Sequence, residues 1–149
     1  MQTRDGIEWG VHDGVARLIL NRPDKANAID LPTALSLSNA ILNLVQAQPR
    51  VIVLQARGPI FCAGGDIESF VAAGPNLRQL VADILEPLLP AYVALAQAPC
   101  PVLSVVNGPL GGAGIGLGLV ADVVLASTEM KLRTGYAALG LSPDVGASY

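Results

Sequence analysis

From residue 51 onward the chain repeats one pattern: a short, dense apolar run, then small residues, then a helical stretch. The runs are VIVLQA (Val51–Ala56), PVLSVVN (residues 101–107) and DVVLAS (residues 122–127). They are apolar at most positions, not only at alternate ones, which fits strands covered on both faces. Strands alternating with helices give an α/β chain built on a parallel sheet. The linkers between them are then the places where chemistry can sit.

The opening segment reads differently. IEWGVHDGVARLILN has two apolar runs, residues 7–11 and Val15–Leu20, flanking His12-Asp13-Gly14. Asp-Gly between apolar runs is a tight-hairpin signal. RPDKANAI is a loop, Asp30 is a suitable N-cap, and Pro32 sits in a first turn, where its missing N–H costs nothing. Leu31, Leu35, Ser38, Leu42 and Val45 share one helical face, with Ile41 and Leu44 beside it, and that helix is expected to run to about Gln48. A second helix is expected near Asp66 and a third over residues 77–98, with Pro87 and Pro90 breaking or kinking it. The glycine segment should become helical over residues 113–120. The tail reads as a short strand, a helical turn or two and a proline turn.

Composition sets outer limits. The 149 residues make one domain, 52% hydrophobic and only 14% charged, with a net charge of −3. That charge and the scattered basic residues argue against nucleic acid as partner. Cys62 and Cys100 lie far apart and form no paired motif, so neither a disulfide framework nor a metal site is expected. A reducing, cytoplasmic setting follows, and the start MQTRDGIEWG shows no apolar leader. Pro87 to Ala121 carries no formal charge and is long enough to cross a bilayer. Its prolines and glycines cut it into short pieces, so it reads as buried core and no membrane association is expected.

NGPLGGAGIGLGLVADVVLAS, residues 107–127, crowds Gly108, Gly111, Gly112, Gly114, Gly116 and Gly118 into an apolar stretch. A dinucleotide fingerprint fails here: counted from Gly112 the third glycine falls on Leu117, and from Gly114 on Leu119. A phosphate loop also fails, since no lysine is present. A second unit, FCAGGD (residues 61–66), likewise follows a buried strand and opens a helix. Two such turns can aim free backbone N–H groups at one point, which is the construction of an oxyanion hole.

NRPDKANAI, GPIFCAGGDI, VNGPLGGAGIGLGLVADVVLAS and GLSPDVGASY, in this order and spacing, resemble the crotonase superfamily of enoyl-CoA hydratases and isomerases. The resemblance covers nearly the whole chain. It implies a ClpP-like superhelix of ββα units, assembled as a trimer or hexamer, that binds acyl-CoA thioesters and needs no cofactor beyond the coenzyme A of its substrate. It implies that the amides of Ala63 and Ala113 hold the thioester oxygen. The loop from Arg22 to Ala28 would meet the nucleotide through Lys25, Ala26 and Ala28, although Lys25 reads equally well as a solvated loop lysine. Gly64, Gly65, Asp66, Ile67, Gly112 and Tyr136 would line the substrate site. The family's C-terminal helices would lie beyond Tyr149, so this sequence is expected to be a piece of a longer protein, ending inside a helix.

The two glutamates of the family's hydratases fall on Gly116 and Tyr136, so both carboxylates are absent. Asp144, in LSPDVG, stands where some isomerases of the family carry their single working carboxylate. One carboxylate suffices to take a proton from one carbon and return it to another. Double-bond isomerisation of an enoyl-CoA is therefore the expected reaction, with Asp144 as acid and base. A hydratase or acyl-CoA hydrolase on the same fold is the first alternative, and a non-catalytic acyl-CoA-binding subunit the second. His12 is assigned to the hairpin turn, Cys62 to apolar packing, Asp66 to a helix cap, and Asp122 to a strand end or loop.

Overall fold

The computed structural model describes residues 1–140 and 142–146. The expected end of the chain inside a helix falls on Tyr149, outside the described residues. A six-stranded sheet forms the centre, in the order β1 (Gln2–Arg4), β2 (Ile7–His12), β3 (Val15–Leu20), β4 (Val51–Ala56), β5 (Val102–Val106) and β7 (Val123–Ala126). The first three strands are antiparallel neighbours, and from β3 onward every pairing is parallel. Leu18 lies beside Leu54, and Leu54 beside Ser104. Their alternate partners point inward: Ile52 and Leu54 are fully buried while Val51, Val53 and Gln55 are half-buried.

Strand β1 is an addition to the expected fold. It pairs with β2 across Asp5-Gly6, with φ of 46° and 77°, almost the backbone of Asp13-Gly14 at 51° and 77° in the expected hairpin. Both are turns in which consecutive residues take the left-handed conformation.

Helices α1 (Leu31–Gln46) and α3 (Leu77–Ala96) pack against each other, burying Leu37, Ile41 and Leu44 of one and Ile84, Leu88, Ala91 and Leu95 of the other. The Asp30 side chain accepts the amide of Thr33 at 2.9 Å and starts α1. Helix α3 has no break. Pro87 and Pro90 lie inside it, so two backbone bonds to the preceding turn are forfeited. Packing against α1 overrides that cost, and the Ser38 hydroxyl of α1 donates to the Pro87 carbonyl at 2.8 Å. The stretch Ile67–Ala96 is long and apolar enough to cross a membrane by length and composition alone.

A two-stranded parallel sheet, β6 (Leu110–Gly111) and β8 (Leu132–Arg133), sits apart from the main one. Helices α2 (Ile67–Ala73) and α4 (Ala113–Leu119) start directly from the two glycine-containing turns. The carboxylate of Asp122 accepts the amide of Val102 at 2.7 Å, tying the end of the glycine segment to the start of β5.

Candidate active site

The two turns pack backbone against backbone. The Gly111 amide donates to the Cys62 carbonyl at 2.8 Å, and Cys62 and Leu110 form a parallel bridge. A side chain at Gly114 would come within 2.6 Å of the Cys62 carbonyl oxygen, and one at Gly111 within 2.5 Å of that of Ala63. Glycine at these positions is what allows the approach.

The turn at residues 61–66 is held from its other side by the Arg22–Ile29 loop. The Ile29 amide donates to the Gly64 carbonyl at 2.7 Å, and the Asp66 amide to the Ile29 carbonyl at 3.0 Å. The Cys62 thiol donates to the Asn27 carbonyl at 3.2 Å, and burial pushes that thiol's pKa up to about 11. It is therefore neutral and structural.

This bracing changes one expected donor. The Ala63 amide donates to the Ala26 carbonyl at 3.0 Å, so it is already spent. Gly64, at φ 95°, interrupts the extended chain, and the amides of Ala63 and Asp66 both end up on the distant Arg22–Ile29 loop. Gly65 lies between them, and its amide has no acceptor among the described residues. The Ala113 amide, at the first turn of α4, has none either. Both residues line one cavity of about 510 Å³.

Arg22, unremarked in the sequence beyond its place at the head of a loop, organises the surroundings. Its guanidinium sits 2.9 Å from Asp30 and 3.7 Å from Asp66, the caps of α1 and α2, and also donates to the Ala28 carbonyl and the Thr33 hydroxyl. Burial would raise the pKa of Asp30, but the Thr33 and Arg22 donors outweigh it and hold the carboxyl below its ordinary value. The signal for Arg22 was available: two capping aspartates on neighbouring turns call for a cation. Asn27 is the other missed residue. It is buried, and its side-chain amide donates to the carbonyls of Arg57 and Ile60 at 2.9 and 2.8 Å.

The remaining expected residues divide. Lys25 pairs with Glu68 at 2.5 Å, which raises its pKa. The carbonyls of Ala26 and Ala28 are engaged within the protein. Asp66 caps α2 by accepting the Ser69 amide at 3.2 Å. Ile67, Gly65, Gly112, Ala113, Tyr136 and Asp144 all line the cavity, together with Phe70, Val81 and Arg133, which sequence reasoning did not single out. Phe70 lies over Gly65, where a side chain would strike its ring. At the far wall the Tyr136 hydroxyl donates to Oδ1 of Asp144 at 2.8 Å. Burial raises the pKa of Asp144 above the ordinary carboxyl range, although the Tyr136 bond opposes it. The pKa of Tyr136 is also raised, by burial first and by the carboxylate second.

Parallel strands feeding two glycine turns, with uncommitted amides and one half-buried carboxyl in a single apolar cavity, place the protein in the crotonase class. A family model described as enoyl-CoA hydratase/isomerase matches residues 10–149. The "probable enoyl-CoA hydratase" of Rhodobacter capsulatus is 36% identical, over 96% of this chain and 54% of its own length. The 1,2-epoxyphenylacetyl-CoA isomerase of Escherichia coli is 32% identical, over 93% of this chain and 54% of its own. The crystal structure of an enoyl-CoA hydratase from Mycobacterium avium subsp. paratuberculosis superposes with a TM-score of 0.85 at 28% identity, covering 99% of this chain and 57% of that one. The chain belongs to the enoyl-CoA hydratase/isomerase family, and it spans about half the length of the curated relatives it matches.

Proposed function

We propose that the protein shifts a double bond in an enoyl-CoA, with Asp144 as the single acid and base and the amides of Gly65 and Ala113 as the oxyanion donors. Oδ2 of Asp144 takes the proton from the carbon next to the thioester carbonyl of a 3-enoyl-CoA. The C–H bond breaks, and its electron pair moves onto the carbonyl oxygen as a dienolate. Two fixed N–H groups in an apolar site stabilise that charge as it develops. The proton then leaves Oδ2 for the γ-carbon, and the electrons return to form the 2-enoyl double bond. A carboxyl whose pKa is raised by burial is suited to give the proton back.

The observation that carries this reading is the cavity lined by Asp144, the single carboxyl on its wall among the described residues, and by Gly65 and Ala113, whose amides have no acceptor among those residues. A further observation favours isomerisation over hydration. A side chain on Gly116, the position of one hydratase glutamate in the resemblance, would run into the Val145 carbonyl. The relatives carry both hydratase and isomerase names, so the preference rests on the residues at the site and not on those names. Three or six copies in a cytoplasmic setting complete the proposal. Val123 and Leu125, on the edge strand of the sheet, are more than half exposed and offer apolar surface to a neighbour.

The test is incubation with a 3-enoyl-CoA in deuterated water. Deuterium uptake together with a 2-enoyl product, both lost in Asp144→Asn, is the expected result. A water-added product, free coenzyme A, or binding without exchange would replace this reading by hydration, hydrolysis or a binding role respectively.

A further inference from the structure

The contact between Tyr136 and Asp144 uses one carboxyl oxygen and leaves the other. Tyr136 is 6% exposed and opens a short helical turn, Tyr136–Leu139. Gly135 enters that turn at φ 62°, and the Tyr136 amide donates to the Thr134 carbonyl at 2.7 Å. Backbone and burial together therefore hold the ring, and the ring holds the hydroxyl. We infer that Tyr136 is a positioning residue whose hydroxyl pins Oδ1 of Asp144, so that Oδ2 alone carries the proton between the two substrate carbons. The inference rests on the acid/base reading of Asp144.

A phenol suits this task better than a second acid would. Burial and the neighbouring carboxylate both keep the Tyr136 proton in place, so the hydroxyl only donates. It cannot compete for the migrating proton. A carboxylate at the same distance would share a proton with Asp144 and blur which group transfers it. Because the bond favours the charged form of Asp144, it also limits how far burial lifts that group's pKa.

The other groups around Asp144 do not replace this bond. Tyr92 of α3 lies within electrostatic reach of Asp144, Cys62 of the first turn within reach of Tyr92 and Tyr136, and burial keeps both protonated. The Tyr92 hydroxyl is buried and has no hydrogen-bond partner among the described residues. Arg133 of β8 lines the same cavity, with an exposed side chain.

Two measurements on the full chain test the inference. With aspartate 13C-labelled, the Asp144 carboxyl is titrated by NMR in the parent and in Tyr136→Phe. Loss of a donor to the charged form should move its midpoint up by about one pH unit. In turnover of a 3-enoyl-CoA, the acid limb of kcat/KM should move up by the same amount. There kcat should fall about tenfold while KM changes less than about twofold. Site-specific 3-fluorotyrosine at position 136, a stronger donor of the same shape, should move both midpoints down. If Tyr136→Phe does not fold, the fluorotyrosine protein decides alone: a downward shift supports the inference and no shift overturns it. An unmoved carboxyl midpoint and acid limb in a folded Tyr136→Phe protein would also overturn it. Retention of exchange by Asp144→Asn would overturn the isomerase reading instead, so the two failures are distinguishable.

Discussion

The Ala63 amide donates to the Ala26 carbonyl across 3.0 Å, and this bond separates the structural amide of the FCAGGD turn from that of Gly65, which lines the cavity and has no acceptor among the described residues. Replacing single peptide N–H groups by ester oxygens through semisynthesis reads the difference. At Gly65 the change should lower kcat by about 10²–10³ with little loss of stability. At Ala63 it should cost about 1 kcal/mol of stability and leave kcat within a few-fold. Turnover and thermal unfolding of the two esters, measured side by side, check the assignment.

Gly114→Ala tests how closely the turns must approach. Its new methyl would sit 2.6 Å from the Cys62 carbonyl oxygen and 2.8 Å from the thiol sulfur. Cys62 is fully buried and braced by Asn27, so it has nowhere to retreat. The expected cost is about 1–3 kcal/mol, as for other overpacked sites. The turns must also spread, so affinity for an acyl-CoA should fall with stability. Denaturant unfolding and calorimetric binding on the same preparation check both.

What the sequence reveals depends on how local each feature is. The caps Asp30 and Asp66 and the turn Asp13-Gly14 act within a few residues of themselves, and all three are legible. The dense apolar runs are legible as strands, but not how they are covered. Strands β4 and β5 alternate buried with half-buried residues, and β7, expected to be buried, leaves Val123 and Leu125 more than half exposed at the sheet edge. Asp5-Gly6 carries the same turn signal, but the strand before it is three exposed residues with no apolar run to mark it. Ala63 was misassigned for a different reason. Which amide of FCAGGD faces a ligand is decided by carbonyls at positions 26 and 29, far back in the chain. Pro87 and Pro90 were read by local rules, but the helix there is held by α1. Neither effect has a pattern within its own segment.

Arg22 is the long-range tie whose removal should be felt most. Arg22→Met keeps much of the apolar stem but leaves Asp30 and Asp66 without their shared cation, in a region where the Arg22 side chain is 20% exposed. The expected loss is about 2–3 kcal/mol, by comparison with other hydrogen bonds to charged groups. Arg22→Lys should recover only part of it, because one ammonium cannot reach Asp30, Thr33 and the Ala28 carbonyl together. Chemical denaturation of the three proteins gives the order parent, Lys, Met.

Asp144→Asn should make the protein more stable while abolishing its activity. Burial raises the folded-state pKa of Asp144 above the ordinary 3.8, so folding disfavours its charged form. A group of this kind lowers stability as pH rises from the unfolded pKa through the folded one, and the deficit is complete above both. Asparagine carries no charge to bury, and its side-chain oxygen can still accept the Tyr136 hydroxyl. The variant should therefore melt higher than the parent at pH 7, with the gap closing as pH falls to 3.8 and below. Asp30 and Glu8, whose pKa values are lowered, lose their own contribution as pH falls through their folded values. They do so in both proteins, so the difference between the two melting curves isolates Asp144. Equal melting temperatures at pH 7 would mean that the carboxyl is not desolvated. A gap that widens toward acid would mean that its pKa is lowered, and Asp144 would then be a poor proton carrier for the proposed reaction.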